Sequence, residues 1–381
     1  MVHRPDDARI YERECRTLAA AGYDVTYLVP GATPGRDRHG VRFAALPART
    51  RSRRWMSTPD IVAALRTLRP FVVHTHDPEL LPLFPLLRPF VPRLVHDAHE
   101  FLREQVMAKE YIPARARPLV AAASGLAQRA LSHWADGIVT VPDDVLNDFG
   151  PRPRLRLVAP NYPRLSHFAG AAPFAELAAD PRLRLVYIGA LSRSRGTALM
   201  LDVMERLAPG DAFLLLGGTF SSPEFEAEIG ARLRAGRDDR VRFLARVARD
   251  DVPRYLASAE VVWTPSSRSP QFSRPTVATK IYEGVAVGLA ALATDLPGRE
   301  VIVDEGFGIT VPAGVEGHLE GVRRLIAEHG SLAAMGARGR AAVLERYSWE
   351  QVEPRFLDFY AELCAAGRPS DVGAGAGAGT S

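Results

Sequence analysis

The chain has 381 residues, 47% apolar and 24% charged, with a net charge of +4. That length exceeds one ordinary core and sets two domains as the expectation. The mild positive charge permits nucleotides, phosphates or anionic lipid, demands none of them, and gives no mark of a nucleic-acid binder. No apolar run reaches the ~20 residues of a spanning helix, and the N-terminus lacks the apolar core of a signal peptide. Two distant cysteines, Cys15 and Cys364, suggest neither a disulfide framework nor a zinc site. The chain reads as cytosolic.

In chain order, residues 8–21 predict a helix ended by Gly22, followed by strands at 23–30 and 41–47. Arg49, Arg51, Arg53, Arg54 and Trp55 form a basic loop. It suits an acceptor phosphate or peripheral contact with a membrane surface, and equally suits a solvated loop in an arginine-rich protein. A helix (59–69) and a strand (71–78) come next, then an apolar, proline-broken segment that reads as a buried helix and its exit. The strand 93–102 carries His96, Asp97, His99 and Glu100 towards its end. A helix (114–135) and strands at 137–142 and 155–160 complete residues 1–160, the first domain. Residues 161–182, rich in proline and alanine, read as the linker. In 183–347 strands at 183–191, 212–218, 241–247, 260–265, 289–295 and 306–312 alternate with helices. A closing helix (348–364) and a low-complexity, disordered tail (365–381) follow. Such alternation predicts an α/β protein with two Rossmann-like, doubly wound parallel sheets. Ligands in this class bind beyond the carboxyl ends of the strands, where Ser192, Arg193, Arg195 and the stretch 271–300 fall.

In that stretch a helical run is expected over 276–287, with Gly288 as its C-cap. Lys280 and Glu283 are three apart and share a helix face near its start. Helix-start amides with a lysine hold an anion, and a carboxylate beyond them accepts hydroxyl hydrogen bonds. The plainer alternative is a surface ion pair, worth ~0.3–0.5 kcal/mol. Lysine is scarce here: of 48 Lys+Arg only Lys109 and Lys280 are lysines. A lysine that survives such an arginine bias suggests a need for its compact ammonium. HTHDPE (74–79) and HDAHE (96–100) could pass for metal sites, but His74 and His76 share a strand face that Asp77 does not. No metal is assigned.

PTVATKIYEGVAVGLAALATDLPG, with HRPDDARIYERECRTLAAAGYDVTYLVP, VVHTHDPELLPL, LVHDAHE, YIGALSRSRG and YSWEQVEPRFLDFY, resembles the family-4 retaining glycosyltransferases with the two-domain GT-B fold. The resemblance spans residues 3–363. It implies sugar transfer from a nucleotide sugar (UDP-, GDP- or dTDP-linked) to an acceptor hydroxyl, with retention, without cofactor or metal. The acceptor, whether glycan, lipid carrier or small molecule, is not readable. On this resemblance Glu283 holds the ribose hydroxyls and Arg195 takes the diphosphate, where the family usually has lysine. The loop before Lys280, with Thr279, presents amides to phosphate and sugar. His99 sits beside the reacting sugar, and backbone around Arg246 and Val247 meets the base.

The chain departs from the family in three places. Pro275 stands where many members have a donor-sugar glutamate, and Ala190 where an arginine often pairs with the phosphate lysine, a role open to Arg193 or Lys280. The family's first strand would precede His3, so a central strand of the first sheet is expected to be missing. A sugar-nucleotide epimerase and a degenerate scaffold remain as alternatives on the same fold.

Overall fold

The computed structural model describes residues 3–49, 53, 56–98, 101–109, 112–141, 143–235 and 239–365. The strands of the first half are β1 (Thr26–Pro30), β2 (Gly35–Arg36), β3 (Arg42–Leu46), β4 (Val72–Thr75), β5 (Arg93–Ala98), β6 (Gly137–Thr140) and β7 (Leu155–Val158). They form two sheets, ordered β1-β3-β2 and β4-β5-β6-β7. Every pairing is parallel except the short β2 against β3.

Among the described residues no strand joins β1 to β4, but packing bridges the interruption on both faces. Leu28 and Leu46 share one core with Val73 and Leu94. On the other face Val25 packs with Val72 and Val95. The helix Arg117–Leu131 lies in the crossover from β5 to β6 that parallel strands require, and Thr58–Leu68 leads from the first sheet into the second.

The first helix differs from expectation. Over Ile10–Cys15 it is wound wide: the amides of Glu12 and Glu14 reach back five residues, to the carbonyls of Asp7 and Arg9. Ordinary α-helix resumes at Arg16–Ala20. Wide turns of this kind gather at functional sites because they re-aim side chains.

The second half contains β8 (Leu183–Leu191), β9 (Ala212–Phe220), β10 (Val241–Phe243), β11 (Val261–Thr264), β12 (Ala290–Thr294) and β13 (Gly308–Val311). All are parallel in one sheet ordered β10-β9-β8-β11-β12-β13. Alternate residues feed opposite faces. Leu185, Tyr187, Leu216 and Trp263 enter one core, and Val186, Leu215 and Val262 the other. β10 is shorter than the expected 241–247, because Ala245 takes a left-handed φ of 50° and turns the chain out of the strand. The strand order reverses between β8 and β11, which is where a doubly wound sheet opens a crevice.

The stretch 161–182 packs against both halves. Phe168 and Leu177 are buried in the second half's core. Arg164 donates to the carbonyls of Glu12 and Arg13. The closing helix, Trp349–Ala365, returns to the first half: Trp349, Val352 and Phe356 pack with Leu18, Val139 and Leu157. Among the described residues no helix is long and apolar enough to cross a membrane.

Candidate active site

A cleft of about 490 Å³ lies at the crevice and is lined from both halves. Its second-half wall is built from the loops after β8 and β11. Gly196 allows these to meet: its φ is 76°, and a Cβ there would fall 1.8 Å from the Pro265 carbonyl oxygen. Ser267 then donates its amide to the Ser194 carbonyl at 2.8 Å. Ser192 shapes the same loop, its hydroxyl accepting from the Arg195 amide at 3.2 Å.

The helix at this wall runs over Thr279–Ala286, three residues later than expected, because the lead-in 275–278 is non-helical and is braced by the Pro297–Gly298 turn. Thr279 therefore opens the first turn, and Thr279 and Lys280 line the cleft. Lys280 Nζ donates to Tyr187 OH at 3.1 Å and lies 4.3 Å from that ring's centroid. Tyr187 OH in turn donates to the Ala190 carbonyl. Burial lowers the Lys280 pKa, with Arg195 adding to the fall and Tyr187 opposing it.

Glu283 is buried and pairs with Arg249 at 2.9 Å. Burial alone would raise its pKa, but Arg249, then Arg13 and Lys280, bring it below the ordinary carboxylate value. The surface ion-pair alternative for Lys280 and Glu283 is therefore overturned: Glu283 is inside, its partner is an arginine, and Lys280 is held by a tyrosine.

Arg195 lines the cleft. Arg193 instead turns outward to Glu228 and to the Phe225 ring. Arg246 reaches across to Asp6 at 3.0 Å, and Val247 packs into the core. His99 and Glu100, with Arg51, Arg54, Trp55 and residues 366–381, lie outside the described residues.

Several cleft residues escaped the sequence reading. Arg299 is 1% exposed, donating to the carbonyls of Thr264 and Thr294 and to Ser266 Oγ. It ties the ends of β11 and β12 together, and burial lowers its pKa to about 10, so it stays charged. Arg13, on the wide-turn segment, is 2% exposed, and its Nη2 has no hydrogen-bond partner. Its pKa, lowered to about 10 by burial, is supported by Glu283 across the cleft. Arg274 pairs with Glu104 at 2.8 Å and lies over the Phe101 ring, joining the halves a second time.

On the first-half side, Glu14, His74, His76 and Asp97 bring their ligand atoms within 4.8 Å of one another. The His74 and His76 rings stack at 4.6 Å, while Asp77 pairs with His3 at 3.4 Å. Arg9 is already within the group, 2.7 Å from Asp97 and 3.2 Å from Glu14. Burial, then Asp97, raises the Glu14 pKa, and burial, then His76, lowers that of His74. The Arg9 guanidinium thus already supplies a cation to this buried group, paired with both carboxylates.

Two family profiles match the sequence: "Glycosyl transferase 4-like domain" over residues 8–161 and "Glycosyl transferases group 1" over residues 182–328. Alpha-maltose-1-phosphate synthase of Mycolicibacterium smegmatis is 25% identical over 203 residues, 50% of this chain and 51% of that protein. D-inositol 3-phosphate glycosyltransferase of Salinispora tropica is 29% identical over 190 residues, 48% of this chain and 36% of that protein. The chain thus spans about half or less of the length of these curated relatives. Among solved structures, sucrose-phosphate synthase from Thermosynechococcus elongatus superposes with a TM-score of 0.75 at 21% identity, covering 94% of this chain and 93% of that one. Anabaena Alr3699/HepE in complex with UDP and glucose gives 0.72 at 14% identity, covering 94% and 97%. Both share this two-domain GT-B architecture.

Proposed function

We propose the reaction from one premise, that the chain belongs to the group 1 glycosyltransferases with a 4-like first domain: it moves a sugar from a nucleoside diphosphate sugar to an acceptor hydroxyl, with retention and without a metal. The observation that carries this reading is the set of three cations, Arg195, Lys280 and Arg299, lining the cleft beside the start of the 279–286 helix. When the bond from the anomeric carbon to phosphate oxygen breaks, negative charge grows on the diphosphate. Fixed cations and helix-start amides stabilise it there.

The same charges hold the product in place, so a phosphate oxygen can take the acceptor's proton as the new glycosidic bond forms on the same face. Glu283 would accept hydrogen bonds from the ribose, its carboxylate kept ionised by Arg249. A UDP-sugar is the first donor to test, because Alr3699/HepE is a structural neighbour seen with UDP.

The test is incubation with UDP-, GDP- and dTDP-sugars in the presence of a chelator, with and without a panel of acceptors. Acceptor-dependent nucleotide release, with the donor's anomeric configuration kept in the product by NMR, supports the reading. Donor interconversion without transfer identifies an epimerase, and neither reaction defeats both.

A further inference from the structure

The helix Arg117–Leu131 buries one face through Ala121 and Gln128. On the opposite face Leu119, Ala123, Leu126 and Ala130 recur at helical spacing, and all four are exposed. Leu119 is 75% and Leu126 70% exposed, and Trp134, just beyond the helix, 41%. A helix that covers a core needs one apolar stripe; this one has a second, facing water.

Its charges are of one sign. From Ile112 to Ala135 the sequence has Arg115, Arg117 and Arg129 and no aspartate or glutamate. A groove of about 380 Å³ runs alongside, lined by Arg103, Gly125, Leu126, Arg129, Asn147 and Asp148. The nearby acid Asp136 is engaged by Arg88 at 2.6 Å, and burial raises the Asp148 pKa while Arg274 and Arg103 oppose the rise. The next helix upstream, Leu102–Met107, carries both Arg103 of the groove and Glu104 of the cleft.

We propose that this face docks on an anionic phospholipid surface, the leucines and Trp134 entering the headgroup boundary while Arg103, Arg115 and Arg129 meet the lipid phosphates. An apolar stripe flanked by arginine, on a helix with no acid of its own although Asp143 and Asp144 are exposed on the neighbouring turn, is complementary to such a surface, and a second copy of the same face would repel it. The docking is independent of the transferase reading.

The experiment is co-sedimentation of the full chain with phosphatidylcholine vesicles, with and without phosphatidylglycerol. The wild type should sediment only with the anionic vesicles and be released by about 0.5 M salt. Leu119→Asp/Leu126→Asp and Arg103→Glu/Arg115→Glu, all at exposed positions, should each bind at least about tenfold more weakly while keeping the wild-type circular dichroism spectrum. A wild type that stays in the supernatant, or leucine variants that bind as well as it does, overturns the proposal. So does a concentration-dependent dimer abolished by the leucine changes, which would assign the face to a second copy. Nucleotide binding in the same samples reports on the transferase reading separately.

Discussion

Lys280 is held by its neighbours before any ligand arrives. Tyr187 accepts its hydrogen bond and offers its ring face, and Gly189 leaves the room: a Cβ there would stand 2.7 Å from Nζ. Lys280→Ala should lower kcat by about 100-fold or more in a donor assay, the usual loss when a preorganised charge partner is removed. Lys280→Arg should not restore it, since the planar guanidinium needs space that this pocket lacks. The lowered pKa sets a pH signature as well: kcat/KM should fall with rising pH before an ordinary lysine would titrate. The sequence offered Lys280 and Glu283 because lysine is rare in this chain and their spacing is helical. It hid Arg13, Arg249 and Arg299 for the converse reason. With 48 Lys+Arg and only two lysines, one arginine looks like another until burial separates them.

At the scale of elements, ion pairs that join the halves include Arg246 to Asp6 and Arg274 to Glu104, and the second adds the Phe101 ring. Arg274→Ala and Glu104→Ala should each cost stability, and the double variant should cost about 0.5–1 kcal/mol less than their sum in equilibrium unfolding. Additive losses would mean that the pair does not form in solution. The alternation of strands and helices was legible, because parallel strands buried on both faces read as apolar runs. The boundaries were less so. The 279–286 helix begins late because its lead-in is braced by a turn distant in sequence, and β10 stops early at one left-handed alanine, which no propensity marks. The wide turn at 10–15 was also invisible, although it aims Arg13 into the cleft.

Across the whole molecule, the N-terminal residues act as a charged clasp. His3 bonds Asp7 at 3.0 Å and faces Asp77 at 3.4 Å. Burial works against its charge, but the two carboxylates raise its pKa to about 9 from an ordinary 6.5. The stabilisation is therefore complete below about pH 6.5 and is lost as the pH rises through 9. Chemical unfolding between about pH 7 and 9.5 should show wild-type stability falling by on the order of 1 kcal/mol more than that of His3→Gln. Equal slopes would show that the histidine is not charged in the fold.

The interruption between β1 and β4 sets an order of opening. β8 is hydrogen-bonded on both flanks, by β9 and β11, whereas β1 pairs only with β3 and β4 only with β5 among the described residues. Amide hydrogens of β8 should exchange with solvent only when the whole protein unfolds, and those on the free flanks of β1 and β4 through local fluctuations, orders of magnitude sooner. Heat and denaturant would then enter by the first half, and the same unpaired flanks are where another extended chain could add itself as a strand.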